Sequence, residues 1–441
     1  MKKILITSDF LTSNNQGLVN RVFDFLIELF NNTEVCVSFK NETELFAERK
    51  RFYDLNQINF ESSDKYTFEN ITPNNTSINC VASLFSSYDL VVFYELSDFT
   101  RSIVERLEIK FIDLWLSPIR FIEDLKFCAF SNDFDMHETI KRYQINDKKA
   151  FDKSKDIIEY FSAENAETSS IQNNSMLLVS QLRLDKSVFY ENRFLTLLDY
   201  KSEISELSKK YDQVLLLKHP YNSEEEFNNV VQEFSKIENL SVTKENAYKL
   251  LSNKNIKHVV AISSSILEEA LFFGKKISYL FKPVIPKQYI TLDDQIFTLD
   301  FWHDLLNIDS SISRKILIHD NFLRSQYGRS WGYDIFLNKQ FSNIAYNKVV
   351  DFCLSLESLD TNKSYIIYGL GSIAKFIIKY KIVRVISIVD VNNASLEYSG
   401  IPIVRISQIE DNSNVIITPF YDNKKILNEL KSKNLNLILL N

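Results

Sequence analysis

Residues 176–189, MLLVSQLRLDKSVF, and residues 214–227, VLLLKHPYNSEEEF, decide the fold of this chain. Each is an apolar run of strand length that passes into a polar turn, and the second turn leads into a helical pattern. Further strand patterns occupy 239–243, 256–263 and 275–281, with helical patterns between them. Because strands alternate with helices, we predict a parallel sheet whose carboxyl-end turns lie together at one edge.

The residues before this region repeat the same alternation. Strand patterns occupy 2–10, 33–39 and 109–116, and 78–95 reads as a helix followed by a strand; helical patterns lie between them, of which 17–30 and 99–108 are the clearest. The strands end near Glu95 and Asp113. We therefore predict a Rossmann-like domain over 1–170 and a second over 175–357, joined by the polar segment 163–175. Helices over 300–357 are expected to close the second domain.

A third unit is predicted over 362–441, as a small Rossmann-like domain. Its first turn, Gly369 to Ala374, follows a strand pattern, and Asp390 ends the next strand about twenty residues on, as in a dinucleotide-binding motif. Only a short stretch of chain is left for a substrate site, and a glycine turn also serves tight strand–helix packing. Nucleotide binding and a structural or interaction role both stay open. The fold class is thus α/β, with roughly three domains in 441 residues.

Composition excludes some classes of function. The net charge of −7 creates no global field that would recruit nucleic acid, so nucleic acid is not expected as a partner. Four cysteines are far apart and match no zinc or disulfide pattern, so we expect buried thiols in a reducing compartment; they are Cys36, Cys80, Cys128 and Cys353.

The N-terminal apolar run is too short for a signal peptide, and no run reaches membrane-spanning length. We therefore expect a cytoplasmic protein. Peripheral contact with the inner face of the cytoplasmic membrane, or with assembly proteins, is an open alternative.

The turn Lys218-His219-Pro220 follows one strand of the second domain. An imidazole near a helix start can donate a hydrogen bond to a nucleotide phosphate, and Pro220 stiffens the turn. The next helix has capping-box spacing at Ser223 and Glu226. A turn histidine bonded to a neighbouring carbonyl is the structural alternative.

The serine run Ser263-Ser264-Ser265 follows another strand of the same domain. Ser265 and Glu268 again have capping-box spacing, and hydroxyls with amide groups at a helix start form an anion site. A polar N-cap without a ligand is the alternative. Two such turns in one domain favour a nucleotide phosphate as the shared ligand.

Carboxylates supply the remaining candidates. Asp185 follows the strand 175–181 and would act as a nucleophile, base or cation stabiliser near the phosphate site, as glycosyl transfer requires. In the first domain Asp113, Glu123 and Asp124, with Arg120, surround a strand end and a Ser-Pro turn. Solvated turns and a surface ion pair are the alternatives. Two α/β domains of this kind are the usual architecture of a GT-B glycosyltransferase.

Three motifs in order, SQLRLDKS at 180–187, LKHPY at 217–221 and ISSSILEEALFFGKKI at 262–277, resemble the bacterial retaining β-Kdo glycosyltransferases of capsule and O-antigen assembly. SPIRFIEDL at 117–125 and SWGY at 330–333 are also similar. The resemblance covers roughly residues 1–345 and leaves out the C-terminal unit.

The resemblance implies a CMP-Kdo donor bound mainly in the second domain, with no metal and no cofactor. Asp185 would be the nucleophile, and His219 with Ser263, Ser264 and Ser265 would bind the phosphate of CMP. Glu268 or Glu269 is the candidate for the ribose, with Gln181, Arg183, Lys218 and Pro220 in the same donor site. Arg120 is a candidate contact for the acceptor or for the donor carboxylate. The general base from the first domain would be Asp113 or Glu123.

Chemistry of the donor agrees with this assignment. A ulosonic acid ionises at its anomeric carbon through a cation-like transition state, which a carboxylate stabilises. Two displacements then retain configuration, and the acceptor is a glycan or a lipid-linked glycan. An inverting CMP-sialic acid transferase, or a transferase of another CMP-ulosonate, with Asp185 as base stays open. So does a non-catalytic assembly or nucleotide-binding protein.

Overall fold

The computed structural model describes the following residues of the chain: 1–12, 16–58, 68, 72–122, 124–164, 171–182, 185–191, 193–308, 312–316, 322–327, 356, 359–360, 363–379, 382–390, 397–418, 426–427, 430–431 and 433–439. They form two compact units, Met1–Leu323 and Arg324–Asn441. Across these ranges every helix is too short or too polar to span a bilayer.

The strands in chain order are β1 (Lys2–Ser8), β2 (Val35–Phe39), β3 (Leu90–Tyr94), β4 (Phe111–Leu116), β5 (Phe127–Ser131), β6 (Ser175–Val179), β7 (Phe189–Tyr190), β8 (Arg193–Phe194), β9 (Gln213–Leu217), β10 (Leu240–Thr243), β11 (Ile256–Ala261), β12 (Lys276–Tyr279), β13 (Ile290–Thr291), β14 (Ser364–Tyr368), β15 (Arg384–Val389), β16 (Glu397–Tyr398), β17 (Ile401–Val404), β18 (Asn414–Ile417) and β19 (Asn436–Leu439).

The α-helices are α1 (Gln16–Phe23), α2 (Phe25–Leu29), α3 (Glu42–Leu55), α4 (Asn75–Phe85), α5 (Asp98–Arg106), α6 (Phe134–Arg142), α7 (Asp147–Glu164), α8 (Lys201–Ser208), α9 (Glu224–Glu233), α10 (Ala247–Ser252), α11 (Ile266–Phe272), α12 (Leu299–Leu306), α13 (Phe322–Tyr327) and α14 (Ser372–Lys379). Short 3-10 helices occupy Lys186–Val188, Leu197–Tyr200, Asp294–Phe297 and Ile406–Gln408.

The first sheet has the order β13-β5-β4-β3-β1-β2, in which β1 to β4 are parallel and β5 is antiparallel to β4. Its central strands β1, β3 and β4 are largely buried on both faces, as parallel strands covered by helices usually are. The predicted helix over 17–30 is divided at Asp24 into α1 and α2. Because β1 and β3 are parallel neighbours, the polar side chains that follow them lie at the same edge, where Ser97 donates hydrogen bonds to Asp9.

The second sheet is entirely parallel, with the order β10-β9-β6-β11-β12. In chain order this is 3-2-1-4-5, a Rossmann-type arrangement whose switch point lies beside its first strand. The α/β class and the predicted pair of Rossmann-type sheets are confirmed.

The segment after β12 differs from the prediction, since it returns to the first sheet instead of closing the second. Strand β13 pairs antiparallel with β5, and Leu306 at the end of α12 accepts a hydrogen bond from Lys2 Nζ. Phe301 of α12 packs edge-on against Tyr143 near the end of α6, with ring centroids 5.0 Å apart. The apolar face of α12 is buried against the first sheet's helices, which a pattern of apolar residues cannot specify. Most of 309–355 lies outside the described residues.

The C-terminal unit contains a six-stranded sheet with the order β16-β17-β15-β14-β18-β19. Strands β14, β15, β17, β18 and β19 are parallel, again in the 3-2-1-4-5 order, and β16 is an antiparallel edge strand. The predicted small Rossmann-like domain is confirmed at the level of its sheet.

The prediction of buried cysteines is wrong for Cys36. Cys80 and Cys128 are buried free thiols, whereas Cys36 is exposed because its side chain faces away from the core on the edge strand β2. Cys353 lies outside the described residues.

Candidate functional site

The site lies at the carboxyl ends of β6, β9 and β11. Strand β6 has β9 on one side and β11 on the other, so the connecting helices leave a crevice at this end, where open α/β sheets bind ligands. Gln181 follows β6, the turn of Lys218, His219 and Pro220 follows β9, and Ser263 follows β11. The structure therefore brings the three predicted turns together.

The Gln181 side chain joins two of these strand ends. Its Oε1 accepts a hydrogen bond from the Ser263 amide at 2.9 Å, and its Nε2 donates to the Ser263 carbonyl at 3.3 Å. The same Nε2 donates to Ser187 Oγ at 2.6 Å. Its main-chain carbonyl accepts from Asn222 Nδ2 at 3.2 Å. Gln181 thus connects the turns after β9 and β11 to the segment that carries Asp185.

Asp185 is the N-cap of the 3-10 helix Lys186–Val188. Its Oδ1 accepts hydrogen bonds from the Ser187 amide at 2.9 Å and from Ser187 Oγ at 2.7 Å. Because Ser187 Oγ itself accepts from Gln181, its proton points to Asp185. Both bonds end on Oδ1, so they set the orientation of the carboxylate, and Asp185 is only partly buried.

The histidine turn is held by local hydrogen bonds. The amide of His219 donates to Ser180 Oγ at 2.6 Å, and its Nδ1 accepts from the Tyr221 amide at 3.2 Å. An accepting Nδ1 assigns the ring proton of neutral imidazole to Nε2, which is therefore a donor. Lys218 Nζ forms an ion pair with Glu224 at 3.0 Å, so this cation is part of the turn's own structure. Pro220 is exposed beside the ring.

The serine turn differs from its prediction. Ser263 is fully buried, and its hydroxyl donates to the Lys282 carbonyl at 2.6 Å, so it stabilises the chain after β12. Ser265 has helical backbone angles and makes no capping hydrogen bond with its side chain, so the predicted cap is wrong. Ser264 and Ser265 are partly exposed and supply the accessible hydroxyls of this turn. In contrast, Ser223 caps α9 as predicted.

The two glutamates of α11 have protein partners. Glu268 accepts from Tyr279 OH at 2.6 Å. Glu269 is buried and accepts from the Arg120 amide at 2.8 Å and from Tyr248 OH at 3.0 Å. Glu269 therefore joins α11 to the Ser-Pro loop after β4, which is a structural task. Arg120 Nε lies 3.5 Å from the Ser117 carbonyl and supports the same loop.

Asp113 lies in the middle of β4, not at a strand end, and has no exposed surface. Its carboxylate accepts from the Leu96 amide at 3.0 Å, from Arg101 Nη2 at 2.7 Å and from Trp115 Nε1 at 2.9 Å, and also from Tyr289 OH. Burial raises the pKa of Asp113 to about 6, although Arg101 and the hydrogen bonds lower it. This geometry is that of a buried carboxylate held by four hydrogen-bond donors.

Glu95, the residue after β3, was not among the predicted site residues. Its φ of 57° is left-handed, a conformation that costs a non-glycine residue about 1–2 kcal/mol. Burial raises the pKa of its carboxyl; the charge of Lys186 lowers it, and the charges of Asp185 and Asp113 raise it. The sequence feature that could have identified Glu95 as a candidate is its position as an acidic residue directly after an apolar strand.

Lys186 brings the two sheets together at this point. Its Nζ lies 3.5 Å from the Glu95 carbonyl and 5.2 Å from the centroid of the Trp115 ring. The 3-10 helix that Asp185 caps therefore lies against the end of β3, and the charge of Asp185 is among those that raise the pKa of the Glu95 carboxyl.

Several predicted residues lie outside the described part of the chain, namely Glu123, Arg183 and the SWGY motif at 330–333. Within the described ranges no three His, Cys, Asp or Glu side chains are grouped as a metal would require. The predictions of no metal and no cofactor stay predictions.

In the C-terminal unit, Asp390 is engaged by the glycine turn. Gly369 has a φ of 89°, which glycine adopts without strain, and the next amide, of Leu370, donates to Asp390 Oδ2 at 2.6 Å. The carboxylate that would bind a ribose in a dinucleotide site thus stabilises its own turn here, which favours the structural alternative for this unit.

Comparisons with known proteins find weak likenesses only. No family model matches the chain, and no curated protein does. Among solved structures, Thermosulfurimonas dismutans KpsC, beta Kdo 2,7 transferase, is 12% identical with a TM-score of 0.33, covering 64% of this chain and 80% of that one. Thermosulfurimonas dismutans KpsC, beta Kdo 2,4 transferase, is also 12% identical, with a TM-score of 0.32 and the same coverage of both chains.

The UDP-GlcNAc 2-epimerase of Neisseria meningitidis, bound to UDP-GlcNAc, is 13% identical with a TM-score of 0.25, covering 64% of this chain and 82% of that one. At these TM-scores the likenesses decide nothing about the chemistry of the chain, for which its own residues are the basis.

Proposed function

We propose that the chain is a retaining glycosyltransferase that moves β-Kdo from CMP-Kdo to a sugar hydroxyl of a surface polysaccharide or glycolipid. The observation that carries the proposal is that the segment of Asp185 lies against the end of β3, where Lys186 Nζ is 3.5 Å from the Glu95 carbonyl, and is joined through Gln181 to the turn after β9 that contains His219. A two-step transfer needs two carboxylates, and a hydrogen-bond donor to the phosphate assists departure of the leaving group.

In the first step, Asp185 Oδ2 attacks the anomeric carbon of the donor. The bond from that carbon to the phosphate oxygen breaks, and its electron pair leaves with CMP. The hydrogen bonds from Ser187 hold Oδ1, so Oδ2 is the oxygen directed to the sugar. The product of this step is a glycosyl ester of Asp185.

The His219 turn acts on the leaving group. With its proton on Nε2, the imidazole donates a hydrogen bond to the phosphate as negative charge develops there. The hydroxyls of Ser264 and Ser265 supply further donors at the end of β11. Because CMP leaves readily as an anion, these donors suffice without a strong acid.

In the second step, the acceptor hydroxyl attacks the same carbon from the face that CMP left, and the carboxylate of Asp185 departs. Glu95 takes the hydroxyl proton. A carboxyl whose pKa is raised by burial is a stronger base than one in water, once it is ionised. Asp113 has no exposed surface for this task, so Glu95 is our candidate for the base that was first expected at Asp113 or Glu123.

The test is the intact mass of the protein after mixing with CMP-Kdo and no acceptor. We expect a mass gain of one Kdo residue in the wild type and none in Asp185→Ala. Glu95→Gln should accumulate the adduct when acceptor is present, because only the second step needs the base. Asp212→Ala removes an exposed aspartate before β9 and serves as the matched control, with an adduct like that of the wild type.

Two outcomes would reject the proposal as stated. CMP release and product formation without any adduct, together with an inverted anomeric product, would favour an inverting CMP-ulosonate transferase with Asp185 as base. Absence of CMP binding, with capture of assembly proteins by the folded chain, would favour the non-catalytic alternative.

A further inference from the structure

Tyr221 is an exposed aromatic residue in the turn that carries His219. Its side chain is 57% exposed, although the chain on either side of it is fixed. Pro220 restricts the backbone before it. After it, the amide of Asn222 donates to the His219 carbonyl at 3.1 Å, and Asn222 Nδ2 donates to the Gln181 carbonyl at 3.2 Å. The turn therefore presents a large aromatic ring to solvent at a defined place.

The ring of Tyr221 lies beside the imidazole of His219. The two ring centroids are 5.7 Å apart with their planes inclined by 47°, and the Tyr221 amide donates to His219 Nδ1 at 3.2 Å. This hydrogen bond leaves the proton of the neutral imidazole on Nε2, the atom that donates to the phosphate in the proposed reaction. One ribose separates the phosphate of a nucleotide from its base. A phosphate at Nε2 therefore leaves the base at a distance comparable to that between the two rings.

A second aromatic ring, that of Phe281, follows β12 at the same edge of the second sheet, but its surroundings differ. The ring of Tyr190 packs against it with centroids 5.2 Å apart, and Lys282 Nζ lies 5.3 Å from its centroid. Phe281 is therefore partly covered by protein groups, whereas Tyr221 exposes more than half of its surface. Aromatic side chains serve as stacking surfaces for bases because every base has a π-face.

We infer that Tyr221 stacks against the nucleobase of the donor and so forms the base-binding surface of the site. The inference rests on the proposed function, which supplies the nucleotide whose phosphate His219 binds. Stacking on the π-face does not read the hydrogen-bonding edge of a base. Tyr221 therefore contributes affinity for the nucleotide, while the choice of cytosine belongs to other groups.

The experiment measures equilibrium binding of CMP to the whole chain by titration calorimetry. Tyr221→Ala should weaken CMP binding about 5- to 150-fold, the effect of removing one aromatic ring from a stacked base. Tyr221→Phe keeps the ring and should bind CMP within about twofold of the wild type. Tyr221→Leu keeps an apolar side chain without the ring and should lose most of the affinity that Tyr221→Ala loses. The main-chain amide that donates to His219 is present in all three variants.

Phe134→Ala is the matched control, with CMP affinity equal to that of the wild type. Phe134 is 76% exposed and begins α6, which follows β5 at the amino end of the parallel strands of the first sheet. Unchanged CMP affinity in Tyr221→Ala would overturn the inference. So would equal affinities of the phenylalanine and leucine variants, or a loss in Tyr221→Phe as large as in Tyr221→Ala, because the hydroxyl would then be the binding group. If the wild type does not bind CMP, the proposed function itself fails, which is a different result from a failure of Tyr221 alone.

Discussion

Replacement of Asp113 by alanine should destabilise the first unit without acting on chemistry directly. The side chain of Asp113 is 0% exposed and that of its partner Arg101 is 14% exposed, with 2.7 Å between Oδ2 and Nη2. Removing one partner of a buried pair leaves an uncompensated charge, which costs about 3–5 kcal/mol. The amide of Leu96 and the Nε1 of Trp115 also lose their acceptor.

The measurement is urea unfolding of the full chain, in which hydrogen exchange of the β3 and β4 amides reports on the first unit. A residue-level readout is needed because the chain has two compact units, and one global signal would mix their unfolding transitions. The double variant Arg101→Met with Asp113→Asn is the control. It removes both charges, so its loss of unfolding free energy should be clearly smaller than that of Asp113→Ala.

The reasoning would be refuted by an Asp113→Ala protein that unfolds within about 1 kcal/mol of the wild type, well below the cost of a broken buried pair, yet has lost transfer activity. Asp113 would then be a catalytic group, as the sequence first indicated.

Other expectations concern acidity, exposure and the C-terminal unit. Because burial raises the pKa of Glu95, the second step should slow as pH falls through a pKa higher than that of an ordinary glutamate. The rate at which acceptor removes the adduct measures this step. Its dependence on pH in that range should be absent in Glu95→Gln. A thiol reagent should modify Cys36 in the native protein before Cys80 and Cys128, as peptide masses would show, and equal rates would contradict the buried positions. Asp390→Ala should speed exchange of the amide that follows Gly369; unchanged exchange together with lost NAD binding would instead assign that carboxylate to a ligand.

Local pattern was sufficient for the elements and for the turns that carry polar groups. Apolar runs of strand length separated by helical periods predict parallel sheets, and a parallel sheet places the residues after its strands at one edge. For that reason Gln181, His219 and Ser263 were brought together as expected. The cap at Ser223 is also a local property, since its partner amide is three residues away.

What pattern could not supply was the direction of each side chain and the contacts between distant segments. Ser263 and Asp113 are of the residue types that chemistry uses, yet burial and neighbours from elsewhere in the chain give both structural tasks. Glu95 has no motif of its own and is distinguished by its neighbours from the second Rossmann-type domain, Lys186 and Asp185. The position of strand β13 in the first sheet could not be predicted for a similar reason. Its pairing with β5 joins residues more than 150 positions apart, and the local sequence of a short strand does not specify such a distant partner.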